Sequence, residues 1–219
     1  IRDSWKRYSP QLFVTASHAT QFNLEMPFGK GLIVSGNNRF YALDKKQFRE
    51  FTTFLRGVLF NGKEDDLLSF LKRIKAPVIE TRPVPAVWVA AGNCLIGDAK
   101  KTKNSMAVTA LSRYGFNQLV GYTVPSWYGK GGWGTLGLLF SNHDASSLAE
   151  AWYLNNQFIL DETMTRFPKL MDVHFNSPDI NGIKDDPDFA RGMNSAGYGM
   201  GKDQLGLIPV SYTHLRAHE

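Results

Sequence analysis

The chain has 219 residues, 43% hydrophobic and 13% aromatic, enough for one substantial core and better suited to one domain than to two. Its net charge of +5 is spread along the chain and concentrates only at 71–75 (LKRIK) and 100–103 (KKTK), a solvated surface rather than a nucleic-acid footprint. A single cysteine excludes an internal disulfide framework, and no run of about 18 apolar residues offers a membrane span.

Gln11, Leu12, Phe13, Val14 and Thr15 predict a short strand. It breaks at Ala16, Ser17, His18, Ala19 and Thr20, a small-residue turn that carries an imidazole. Next, 32–35 and 39–42 flank Gly36, Asn37 and Asn38, which is hairpin punctuation, and the hairpin is expected beside the site. Asp44 with Gln47 three residues on reads as a capping box. The helix it opens carries Phe48, Phe51, Leu55, Val58 and Leu59 on one face and stops at Asn61 and Gly62. A second amphipathic helix places Glu64, Asp65 and Asp66 early and Lys72, Arg73 and Lys75 late, complementing the helix dipole. Its apolar stripe is Leu67, Leu68, Leu71 and Ile74.

Pro77, Pro83 and Pro85 mark an extended approach to Val87, Trp88, Val89, Ala90 and Ala91. Such continuous hydrophobicity suits a strand buried on both faces. The strand ends at Gly92 and Asn93, and the lone Cys94 follows, just outside the carboxyl end where an α/β sheet keeps its chemistry. A helix at 105–114, closed by Gly115, and a strand at 118–124 complete a βαβ unit of a parallel sheet. The segment 125–134 (PSWYGKGGWG) has the composition of a loop that lines a cleft with flat side chains. Ser147, with Glu150 three residues later, opens the last clear helix, and 168–206 turns polar without periodicity.

The chemistry follows from two strand ends. If the His18 and Cys94 strands are parallel neighbours, an imidazole and a thiol emerge at one sheet edge although 76 positions separate them. An imidazole can hold a thiol as thiolate and later protonate a leaving amine. The backbone amides of Cys94 and Ala19 are the candidate oxyanion donors. The competing readings are a buried inert thiol and a core histidine capped by the backbone. Glu25 is a candidate to orient His18, against a plain solvated loop carboxylate. Asp98 reads as a turn cap. No metal or other cofactor is implied: His143 and His174 lack partners at ligand spacing, and Asp179, Asp185, Asp186 and Asp188 lack a calcium-loop register. The segment 129–134 (GKGGWG) is not a phosphate-binding loop, because no Lys-Ser or Lys-Thr pair follows.

The stretches LFVTASHAT and VWVAAGNCLIGD resemble the caspase-like cysteine peptidases, and SMAVTALSRYGFNQLVGYTVPSWYG is similar to the bacterial gingipain-type branch. The resemblance covers about residues 11 to 160. It implies an α/β three-layer sandwich around a mainly parallel sheet, with Cys94 as nucleophile and His18 as general base and acid. It also implies Thr123, Trp127 and Tyr128 as substrate-binding wall, a protein or peptide substrate, and a secreted or cell-envelope location. Three departures stand against it: Ala19 where the family has glycine, Asn93 and Leu95 around the cysteine, and a spacing longer than the roughly 50 residues of caspases. The family's first two strands should precede the histidine strand and so fall outside this chain, leaving an open sheet edge at Leu12 to Val14. Residues 1–209 then form one domain, a fragment of the full fold, and 210–219 read as a non-native tail. An initiator methionine and any targeting segment are likewise expected outside the chain, which starts at Ile1. Two further classes stay open: an inactive interaction module of the same fold, and an aromatic-rich carbohydrate- or ligand-binding domain stacking on Trp127, Tyr128 and Trp133.

Overall fold

A computed structural model describes residues 10–58, 64–81, 84–99, 104–123, 130–141, 147–166 and 209–212. It is a mixed α/β fold with two sheets and five helices among these residues. Sheet A holds β1 (Leu12–Ala16), β6 (Ala86–Gly92) and β7 (Phe116–Tyr122) in parallel, with β8 (Pro209–Tyr212) antiparallel on the outside of β7. Sheet B is an antiparallel meander of β2 (Ala19–Thr20), β3 (Asn23–Glu25), β4 (Gly31–Gly36) and β5 (Arg39–Asp44). The helices are α1 (Lys45–Val58), α2 (Glu64–Arg73), α3 (Met106–Arg113), α4 (Lys130–Ser141) and α5 (Leu148–Arg166).

Alternation along β6 explains how sheet A is covered. Ala86, Trp88 and Ala90 face α3 and the inner side of sheet B, packing with Met106, Ala107, Ala110, Leu24, Ile33 and Phe40. Val87, Val89 and Ala91 face the other way, toward Leu136 and Leu139 of α4 and Leu148 and Trp152 of α5. A strand with both faces buried needs the unbroken apolar run seen in the sequence. The outer side of sheet B, with Leu32, Val34 and Leu43, is closed by Phe51 of α1 and by Phe70 and Leu71 of α2.

Local signals set most of the connections. Asn37 and Asn38 take φ of 49° and 53° and turn β4 into β5, as a hairpin turn with both central residues left-handed requires. Asp44 Oδ1 accepts from the N–H groups of Lys46 and Gln47, both at 2.8 Å, while Gln47 Oε1 accepts from Asp44 N at 3.2 Å, a complete capping box. Ser105 caps α3, and Gly115 follows its end with φ 70°. Ser147 Oγ accepts from Glu150 N at the start of α5.

Three features depart from the sequence expectations. The turn after β1 runs straight into β2 and β3, strands too short to carry a periodic signal. Lys130 to Gly134, expected as part of a loop, open α4; a Cβ on Gly132 would lie 2.5 Å from Ala91 Cα, so the glycine lets the helix lie directly on β6. Residues 210–219 are expected outside the fold, yet Val210, Ser211 and Tyr212 pair with Gly121, Val120 and Leu119. Valine and tyrosine favour strands, and β7 offers them an edge. On the other side β1 is the outer strand among the described residues, with Val14 36% exposed.

Candidate active site

Two strands of sheet A end together. Leu12 to Thr15 pair in register with Val87 to Ala90, and Ala16 pairs with Gly92 across a one-residue shift. The residues that follow, Ser17 and His18 on one side and Asn93 and Cys94 on the other, leave the sheet at the same carboxyl edge. Val89 pairs with Val120, so continuing this register brings Thr123 to that edge as well. Cys94 is half-buried and His18 is exposed.

His18 occupies the point where the chain passes from sheet A into sheet B. Glu25 N–H donates to His18 O at 2.9 Å, and Ala19 pairs with Leu24 in the next position. Hydrogen-bonded and non-bonded pairs alternate in an antiparallel ladder, so Ala19 is in a non-bonded pair and its N–H points away from β3. Glu25, expected on a loop, lies in β3 and meets His18 through the backbone. Both residues line a cavity of about 150 Å³ against α1, together with Asn23, Leu32, Phe48, Phe51 and Thr52; Cys94 is not among its lining residues.

Cys94 opens a tight turn in which Asp98 N–H donates to Leu95 O at 3.0 Å and Leu95 takes φ 58°. A left-handed leucine costs of order 1–2 kcal/mol, strain of the kind that surrounding structure must hold in place. Gly97 supplies the hold: its N–H donates to Tyr122 O at 2.9 Å, and a Cβ there would lie 2.4 Å from Gly121 O. Asp98 is thus part of the turn after the cysteine. From α4, Gly132 N–H donates to Tyr122 Oη at 2.7 Å, and Trp133 is 46% exposed. Its indole nitrogen would lie 3.7 Å from a Cβ on Gly92, placing an aromatic ring beside the end of β6.

Asn93 is the residue whose part the sequence reading missed. It is 0% exposed and its amide is hydrogen-bonded on both sides. Oδ1 accepts from Thr15 Oγ1, and Nδ2 donates to Ser17 O at 2.9 Å and Ser17 Oγ at 3.1 Å. The only signal in the sequence was a polar amide directly after a wholly apolar strand.

Trp127, Tyr128, His143, His174 and the four late aspartates lie outside the described residues. Among the described residues no three His, Cys, Asp or Glu side chains gather as a metal site, and no helix is long and apolar enough to cross a membrane. In comparisons with protein-family models, with curated proteins and with solved structures, nothing matches this chain.

Proposed function

We propose that the chain is a cysteine endopeptidase of the caspase-like, gingipain-type kind, its sheet A being the central layer of that family's three-layer sandwich. The observation that carries the reading is the parallel pairing of β1 with β6, with Ala16 opposite Gly92. Two residues beyond that pair, the chain has its only cysteine on one strand and a histidine on the other. The half-buried thiol and the outward-facing Ala19 amide add to it, as do the family-like motifs around both residues.

In this reading Cys94 attacks the scissile carbonyl as thiolate, and the C–S bond forms as the carbonyl π electrons move onto oxygen. The N–H groups of Cys94 and Ala19 hold that oxyanion, each such donor being worth about 3 kcal/mol. His18, protonated by the thiol, gives its proton to the leaving amine as the C–N bond breaks. It then takes a proton from the water that releases the acid from the thioester. Trp133, beside the end of β6, and Thr123, at the same sheet edge, would then border the peptide.

The test is hydrolysis of reduced, alkylated casein, together with mass analysis after a peptidyl acyloxymethyl ketone. Cleavage and a single adduct on Cys94 are expected, both absent in Cys94→Ala, with hydrolysis lowered at least about 1,000-fold in His18→Ala. Cleavage that survives Cys94→Ala contradicts the reading.

A further inference from the structure

We propose that Asn93 is the positioning residue of this site: its buried amide clamps the His18 turn to the end of β6 and so sets the imidazole relative to the Cys94 thiol. The inference rests on the peptidase reading above. A buried amide is costly unless its donors and acceptor are met, and an apolar side chain would fill the same space without that demand. Here each partner belongs to the other strand. Trp88 Nε1 donates to Thr15 Oγ1 at 2.8 Å, so the Thr15 hydroxyl has its own proton to give to Asn93 Oδ1. Ser17 O can only accept, which fixes Nδ2 on that side. Ser17 Oγ in turn donates to Glu25 O at 2.7 Å, and Glu25 N–H donates to His18 O. Hydrogen bonds therefore run from the Trp88 indole in the core, through Thr15 and Asn93, to the Ser17 carbonyl of the peptide that joins His18. Networks of this kind hold a single arrangement when every member is satisfied. Asn93 precedes the nucleophile in sequence, so any loosening of its grip moves the Cys94 turn and the His18 turn apart.

The experiment follows the rate of Cys94 alkylation by iodoacetamide against pH in the native chain and in His18→Ala, Asn93→Ala, Asn93→Asp and Thr15→Val, with circular dichroism and thermal melts as the check on folding. The native chain is expected to react near pH 6 through a His18-dependent component, about tenfold faster than His18→Ala. Asn93→Ala and Asn93→Asp are expected to give the His18→Ala profile while still melting cooperatively, since neither can donate to Ser17 O. Thr15→Val, which leaves the two Nδ2 contacts, is expected to fall between. A folded Asn93→Ala or Asn93→Asp with the native profile overturns the role; if neither folds, Thr15→Val with the native profile does so. Coincident profiles for the native chain and His18→Ala would instead remove the dyad itself, and the positioning role with it.

Discussion

Sheet B is turned and led into its first helix by contacts a few residues apart, at Asn37, Asn38 and Asp44, whereas the end of sheet A joins Thr15 to Asn93 across 78 residues. Parallel strands cannot be joined by a tight turn, and here sheet B, α1 and α2 occupy the chain between β1 and β6. The two regions also treat polar groups differently. In sheet B polar side chains turn and cap elements, and Ser35 and Phe40 are also tied to Thr109 and Tyr114 beside α3; at the end of sheet A they tie the two turns that carry His18 and Cys94. What this contrast teaches is where each region takes its instructions: the turns and caps of the meander follow local rules, while the juxtaposition of the His18 and Cys94 turns follows from strand register.

Substitutions at the two places should therefore break differently. The largest effect is expected from Trp88→Ala, which empties a fully buried ring packed between Phe13 and Phe116 and removes the donor to Thr15. A loss of about 4 kcal/mol in urea unfolding is expected, with Cys94 reactivity altered as well. Gly132→Ala comes next, because the added Cβ meets the backbone of Ala91 at 2.5 Å. Its cost should be about 3 kcal/mol, accompanied by a shift in Cys94 reactivity, since α4 also carries Trp133.

Tyr114→Phe probes the seam between α3 and sheet B. The Tyr114 hydroxyl accepts from Phe40 N at 2.9 Å and donates to Ile79 O at 2.8 Å, and losing both should cost about 2 kcal/mol. Burial pushes its phenol above the ordinary value of 10.0. The neutral form is thus favoured by folding, so its contribution is complete below that value and is lost as pH rises through the raised one. The variant should lack this share of the alkaline loss, measured as unfolding midpoint against pH, and leave Cys94 reactivity unchanged. The smallest effect is expected for Asp44→Ala, about 1 kcal/mol for a lost cap, again with no change at Cys94. A cap variant that altered Cys94 chemistry would contradict the separation of the two regions.

The same contrast explains what is legible in the sequence. The hairpin, both caps, the α3 stop at Gly115 and the βαβ unit around Cys94 are local patterns, and each was legible. So was the pair of strand ends, because apolar runs that stop at Gly92 and at Ala16 carry their own punctuation. β2 and β3 were not, since two or three residues have no period; β3 is held between β2 and β4 by ladder pairing alone. The helical start of α4 was hidden because glycine disfavours helices locally, and only the contact with Ala91 repays it. Asn93 was visible as a residue but not as a clamp: its partners are distant in sequence, and spacing alone does not reveal which strand will lie beside which.

The central claim is that the register of β1 on β6 delivers position 18 and position 94 side by side at one sheet edge. Cys94 is the sole cysteine, so His18→Cys gives a chain with two thiols that a short dibromobimane bridge can join. The account predicts rapid intramolecular bridging between the two positions in the folded chain, lost on unfolding in urea. Single labelling of both thiols without a bridge would contradict it.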